Sequence, residues 1–316
     1  MGLLIMGVMD RIADGARNWS DIIEDRPLLV SVSGGKDSTA MALWLIDQGL
    51  KDRCYWVFAD TGWEHPAVYE YLTYLEGVIG PIHRATNSKY PGGFADLVRK
   101  KGMFPSRKFR FCTDQLKVTP IREYAAQLAE ELGDNLISCV GIRAAESRSR
   151  AALDMWDSGG PIKLDTWRPI IEWGVEDVIE YHNKHNVVPC SLYLRDKHPS
   201  ERVGCYPCIM SRKAEIQAVA VHDDWRVDEI RQLEADAQEK YIERNQDWEE
   251  RNLQLPTMFQ GRQQDENGKR LMTPIDKVVE WSKTSRGGKQ LQLIETGQPG
   301  CRMWGLCDMG TNNNDV

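Results

Sequence analysis

The 316-residue chain has no apolar run approaching the roughly 18 to 20 residues needed to cross a bilayer. Its longest, "GLLIMGVM" at the start, is followed by Asp10, Arg11 and Asp14, so a membrane span is not expected. That opening also lacks a basic flank and a small-residue cleavage site, and Met6 stands where a myristoylation signal needs Ser or Thr. Neither export nor lipid anchoring is expected, which leaves the cytoplasm as the default compartment. An excess of positive charge is missing too. With 40 Lys and Arg against 47 Asp and Glu, the net charge of −7 argues against a protein whose main task is to coat nucleic acid. There is no internal repeat. Histidines are few: His65 lies in the turn "GWEHP", near the site argued below, whereas His182, His185 and His222 read as ordinary surface positions.

The chain is long enough, and at 41% hydrophobic residues apolar enough, to bury one large α/β core with a smaller appended region. One local basic patch breaks the acidic balance. Between Arg99 and Arg110 the chain reads "RKKGMFPSRKFR", a loop-like stretch interrupted by Gly102 and Pro105. It reads either as a solvated turn or as a surface that meets an anionic substrate. Eight cysteines without a secretory signal point to metal or redox chemistry rather than a disulfide scaffold. Cys54, Cys139 and Cys190 sit in apolar surroundings and read as buried thiols, and the other five lie in loops.

Apolar positions at helical spacing over residues 8 to 24 precede Pro27 and the strand "LLVSVS". The run "TAMALWLIDQG" then reads as a helix capped by Gly49, "CYWVFAD" as a strand, and "PAVYEYLTYLEGVIG" as a helix opened by proline. Beyond the basic stretch, "TDQLKVTPIREYAAQLAEELG" reads as a helix bent or restarted at Pro120, "NLISCVGI" as a strand and "VEDVIEYHNKHN" as a helix. Strands alternating with helices predict an α/β fold: an open, mostly parallel twisted sheet with helices on both faces. From about Ser211 the texture becomes charged, strand-poor and helical. The expected organisation is an α/β domain over residues 1–210, a mainly helical accessory region over 211–310 and a polar tail over 311–316.

The stretch "SVSGGKDST", Ser31 to Thr39, follows the first strand and runs into a helix. Such a loop aims several backbone N–H groups and the positive end of the helix dipole at one place, which suits phosphate. Gly34 and Gly35 allow close backbone approach, Ser33, Ser38 and Thr39 offer hydroxyls, and Lys36 adds charge. The spacing is not that of a Walker A loop.

The pattern S-G-G-x-D-S resembles the PP-loop of the adenine-nucleotide α-hydrolase superfamily. The segments "FADTGWEHPAVYEYL", "FPSRKFRFCTDQLKVTPIREY", "GIRAAESRSRA", "WRPIIEWGVEDVIEYH" and "VGCYPCI" resemble, in order, those of phosphoadenylyl-sulfate (PAPS) reductase family proteins of phage and prophage type. The likeness runs from about Leu28 to Ile216. It implies a nucleotide site made of Ser31, Ser33 to Ser38, Asp60, Thr61, Gly62, Gly141, Ile142 and Arg143, with Ile142 against adenine and Arg143 toward the anionic end. Arg148 and Arg150 would assist. ATP and PAPS are the two candidate nucleotides, and with ATP the Asp37 carboxylate would hold Mg2+.

The turn "GCYPC" sets Cys205 and Cys208 at C-x2-C spacing, and Cys301 and Cys307 flank "RMWGL". Together these four thiols could complete a tetrahedral set for a 4Fe-4S cluster or for zinc. Cys112 is the fifth loop thiol. In cluster-bearing relatives a cysteine pair stands at this position, whereas here Phe111 precedes a single cysteine. Cys112 is therefore either an alternate ligand or a nucleophile, activated by a helix N-terminus with Arg110 and Lys108 nearby. The reductase tail pattern E-C-G-x-H is missing around Cys307, and the PP-loop is intact where reductases tend to have a degenerate one. ATP cleavage between the α and β phosphates, with Lys36, Asp37 and Arg143 as catalytic groups and coupled to sulfur transfer, is the favoured expectation. Sulfite release from PAPS is the second reading, and a non-catalytic nucleotide-binding module the third. Expected partners are an adenine nucleotide, a nucleic-acid substrate on the basic stretch, a thiol or sulfur-donor protein and a second copy of the chain.

Overall fold

The computed structural model describes residues 18–133, 135–264, 268, 270–284 and 304. Five short strands, β1 (Leu28–Ser31), β2 (Cys54–Ala59), β3 (Ile82–Ala85), β4 (Ile137–Val140) and β6 (Asp165–Trp167), form a parallel sheet closed at one edge by the antiparallel β5 (Trp156–Asp157). The order is β3-β2-β1-β4-β6-β5. Strand β1 is thus paired on both sides, Leu28 opposite Cys54 and opposite Ile137. The chain leaves β1 toward β2 and returns on its other side at β4, which opens a crevice at the carboxyl ends of these strands.

Because side chains alternate along a strand, β1 feeds two cores. Leu28 and Val30 pack with the helices α2 (Lys36–Asp47), α3 (Pro66–Ile79) and α6 (Val175–Lys184), while Leu29 joins Val57, Leu128 and Leu136 under α5 (Thr119–Leu132). The helix α1 (Trp19–Ile23) adds Trp19, stacked 5.6 Å from Trp167.

The region after Ser211 contains α7 (Lys213–His222), α8 (Asp224–Arg244) and α9 (Ile275–Ser282), as its charged helical texture predicts. It also contains a hairpin, β7 (Phe259–Gln264) with β8 (Arg270–Thr273), that a strand-poor reading did not anticipate. The hairpin is stabilised from outside. The buried Glu234 of α8 accepts from the backbone N–H of Met258 (3.0 Å) and of Ile275 (3.1 Å), tying hairpin and α9 to α8. Trp63, Phe94, Leu97 and Phe111 share one core with Val227, Ile230, Leu233 and Ile275, so these helices bury their apolar faces against the α/β region.

Three further differences have physical causes. Arg99, Lys100 and Lys101 are not loop residues but the last turn of α4 (Gly93–Lys101), where cations suit the helix dipole. The helix expected to bend at Pro120 begins with one turn, Phe111–Thr113, then widens to a π-turn over Asp114–Val118 before α5. Pro120 has no N–H to continue the ladder, and the wider turn accommodates that loss. His182, expected at the surface, is fully buried. Among the described residues no helix is long and apolar enough to cross a membrane. The segments 1–17 and 311–316 lie outside the described residues.

Candidate functional site

The loop between β1 and α2 is held open as a cradle by its own side chains. Ser38 Oγ accepts from the Ser33 backbone N–H (3.1 Å), lies 3.1 Å from Ser33 Oγ, and donates to the Gly35 carbonyl (3.0 Å). The Gly35 N–H in turn donates to Ser33 Oγ (3.3 Å). Gly34 adopts φ +71°, and a Cβ there would come 3.0 Å from Val68 Cγ1. A side chain would be strained twice, by backbone and by crowding. Helix α2 starts without a side-chain cap at Gly35, which leaves its first-turn N–H groups facing the cradle. One of them, on Lys36, donates to the Tyr193 hydroxyl (3.3 Å).

Charge gathers at this mouth. Asp37 is paired with Arg143, whose Nε donates to Oδ1 at 2.5 Å, and with Lys36 Nζ at 3.4 Å. Two nearly buried cations thus surround one carboxylate, a surplus of positive charge that suits a polyphosphate. Lys36 Nζ also donates to the Glu201 carbonyl (3.0 Å) and lies 5.1 Å from the centre of the Tyr193 ring. Arg143 follows β4 through Gly141 and Ile142, both half-exposed. A Cβ on Gly141 would sit 2.9 Å from Ser38 Cα and 3.1 Å from the Asp37 carbonyl, so β4 and the start of α2 meet backbone to backbone. Arg150 is instead ion-paired with Glu146 on the surface, and Arg148 is exposed.

At the end of β2, Asp60 Oδ1 accepts from the Gly62 N–H (2.9 Å) and the Tyr69 hydroxyl (2.8 Å). The buried Thr61 hydroxyl donates to Glu64 Oε1 (2.7 Å) and lies 3.6 Å from Cys205 Sγ. Glu64 and Cys205 form an isolated antiparallel bridge, and the Tyr206 N–H donates to the Trp63 carbonyl (2.7 Å). The "GCYPC" turn is therefore docked on the rim of the same crevice that carries Asp60, Thr61 and Gly62. Lys117 beside the turn is held more firmly in its protonated form, chiefly by Cys205, with Glu64 and Cys208 adding to the effect.

Burial pushes the Cys205 thiol up, only partly offset by Lys117. It also raises Cys112, with Cys208 adding to the effect, which is the reverse of the activation expected from a helix N-terminus and nearby cations. The apolar positions of Cys139 and Cys190 are buried as expected, whereas Cys54 is half-buried, donates to the Leu50 carbonyl, and is pushed up to about 12 by burial. Among the described residues no three His, Cys, Asp or Glu side chains converge to hold a metal ion. Cys205 and Cys208, with Cys112 in electrostatic reach of Cys208, do not by themselves fit a cluster or zinc site. Cys301 and Cys307 lie outside the described residues.

Sequence reasoning missed Tyr193 and Glu201, which brace Lys36 from a loop distant in the chain. It also missed His182, whose Nε2 lies 3.0 Å from the Lys36 carbonyl and Nδ1 2.9 Å from that of Val187. Its signal was present. Val175, Val178, Ile179 and His182 follow helical spacing, so His182 falls on the buried stripe of α6.

The chain is 35% identical over 236 residues to an uncharacterized 37.8 kDa protein of Escherichia phage 186, covering 60% of this chain and 69% of that one. It is 33% identical over 147 residues to an uncharacterized nin region protein of Escherichia phage lambda, covering 38% of this chain and 49% of the relative. Among solved structures, a PAPS reductase from Candida auris in a phosphate complex aligns at 15% identity with a TM-score of 0.39, over 59% of this chain and 83% of that one. The phosphoadenosine phosphosulfate reductase domain matches residues 27–211, which span the cradle, the Asp60 rim, Arg143 and the Cys205–Cys208 turn. With the PP-loop, the switch-point crevice and its two cations inside that span, the chain belongs to the phosphoadenosine phosphosulfate reductase domain family.

Proposed function

We propose that the crevice binds ATP and adenylylates an acceptor oxygen. The observation that carries this reading is the complete cradle: hydroxyls of Ser33 and Ser38 locking an open loop, uncapped N–H groups at the start of α2, and Lys36 with Arg143 around one carboxylate. These groups suit a β,γ-pyrophosphate that must be held while it leaves. The acceptor oxygen forms a bond to the α phosphorus, the bond from that phosphorus to the bridging oxygen breaks, and pyrophosphate departs with the electron pair. The acceptor's proton passes to solvent. Lys36 and Arg143 neutralise the charge that develops on the leaving oxygen, and the cradle fixes it in line. Asp37 is the carboxylate that would hold Mg2+, which would supply further charge neutralisation, and Arg143 would then be free to meet phosphate oxygens. Ile142, just past β4, would border the adenine.

Replacement of the adenylylated oxygen by sulfur is the second half of the reading. Its support is the Cys205–Cys208 turn, docked on the crevice rim beside Thr61, Glu64 and Lys117. A separate sulfur-donor protein would supply the sulfur. Reduction of PAPS is the competing reading, favoured by the family match over 27–211. The test incubates the full chain, Mg2+ and mixed single-stranded oligonucleotides with ATP labelled at the α phosphate. Label transferred to acceptor or AMP, with equimolar pyrophosphate, supports adenylylation. Sulfite from PAPS with thioredoxin, and intact ATP, would overturn it.

A further inference from the structure

We propose that the basic pocket at the far end of α4 binds single-stranded nucleic acid and so supplies the acceptor strand for the crevice, an inference that builds on the adenylylation reading for the strand's role though not for its binding. The pocket has a volume of about 520 Å3 and is lined by Lys89, Tyr90, Lys100, Lys101, Phe109 and Arg244, four cations with no carboxylate among its lining residues. In a chain with a net charge of −7 this is a local concentration, not a general property. Two of the four cations are held in place. Arg244 of α8 donates to the carbonyls of Lys101 (2.7 Å) and Lys100 (2.8 Å), and Lys100 Nζ donates to the Lys89 carbonyl (2.5 Å) while lying 5.3 Å from the Tyr90 ring centre.

Phe109 gives the pocket its selectivity. It is 59% exposed and T-shaped to Phe111 at 5.4 Å, so more than half of this ring is open to solvent beside four cations. A cationic concavity with an exposed aromatic matches an unstacked base flanked by its phosphates, whereas a duplex offers no base face. Exposed Arg107, Lys108 and Arg110 continue the charge beyond the pocket, which suits a polymer rather than a free nucleotide. Arg99 takes no part, because it is paired with Asp236 at 2.7 Å.

The pocket is also placed to serve the crevice. Helix α4 connects the two: the Phe94 N–H in its first turn donates to the Thr61 carbonyl (2.8 Å) on the crevice rim, and its last turn carries Lys100 and Lys101. Nine residues of helix span about 13 Å, a distance that a few nucleotides of extended strand bridge.

The experiment measures anisotropy of labelled single-stranded DNA and RNA oligomers of about 12 nucleotides, matching common single-strand site sizes, with the full chain. Between about 50 and 200 mM salt, the four pocket cations alone give a log–log slope of about −2.8, and the cations beyond the pocket steepen it. The double variant K89A/K101A should flatten that slope by about 1.4, and Phe109→Ala should weaken binding at least fivefold with the slope unchanged. Both variants should bind ATP as the wild type does, so a failure here is distinct from a failure of the adenylylation reading. Selectivity for RNA or for DNA would identify the acceptor's sugar and supports the proposal either way. No strand binding at 50 mM salt, duplex bound as tightly as single strand, or variants indistinguishable from wild type would each overturn it.

Discussion

Substituting Gly141 by alanine tests the packing that aligns the cradle. The added methyl would meet Ser38 Cα at 2.9 Å, Ser38 N at 3.1 Å and the Asp37 carbonyl at 3.1 Å. Ordinary van der Waals separation for such atoms is about 3.5 to 4.0 Å, and all three belong to backbone, so no rotamer change can relieve them. Strand β4 and the start of α2 must separate by roughly half an ångström or more. Overpacking of this kind costs about 1–3 kcal/mol of stability. The displaced groups are those that hold phosphate, and misplacement on that scale lowers the productive alignment of a reacting group by up to about 100-fold. The comparison is Gly133→Ala. That residue has φ +64° with nothing within 4 Å of a Cβ, so alanine there meets backbone strain alone and costs about 1 kcal/mol. Urea unfolding and ATP titration on both variants separate the effects. Gly141→Ala should lose stability and ATP affinity, Gly133→Ala only stability. Unchanged ATP affinity in Gly141→Ala would refute the claim that this contact sets the cradle.

Three further outcomes are expected. A double-mutant cycle of Arg143→Met and Asp37→Asn should give a coupling of at least about 1 kcal/mol in unfolding free energy, because the pair is close and shielded from water; additive losses would remove the pair from the account. Burial lowers the His182 pKa, so its stability contribution is fully present above the unfolded value of about 6.5 and is lost as pH falls. Unfolding free energy should therefore drop more steeply from about pH 7.5 to 5.5 in the wild type than in His182→Gln. Equal slopes would contradict the burial argument. Because burial raises the thiols of Cys112 and Cys205, both should be alkylated by iodoacetamide more slowly than a free cysteine at neutral pH, and Cys112→Ser should keep full pyrophosphate release. A fast-reacting Cys112 would restore it as a nucleophile.

The central elements were legible because their signals are local. The apolar run of β1, the glycines after it and the helical spacing of α2 all lie within Leu28 to Asp47, and they coincide with the elements observed. What escaped depends on partners far along the chain. The four-residue β3, with exposed His83, is a strand only because it pairs with β2, and β5 has two residues. The β7–β8 hairpin stands on Glu234 of α8, a buried carboxylate that composition ranks as surface. Arg143 was placed toward the anionic end by its position after a strand, but its pairing with Asp37 spans 106 residues and has no local mark. The same holds for the Tyr193 and Glu201 contacts to Lys36. The sequence reading put Cys205, Cys208, Cys301 and Cys307 in one set, of which Cys301 and Cys307 lie outside the described residues.

The most direct test of the account follows the fate of ATP labelled at its α phosphate, with the full chain, Mg2+ and single-stranded nucleic acid. The account predicts pyrophosphate equal to the label transferred, falling about 100-fold in Lys36→Met and Arg143→Met, the loss typical when one group that stabilises developing charge is removed. Intact ATP together with thioredoxin-dependent sulfite release from PAPS would contradict it.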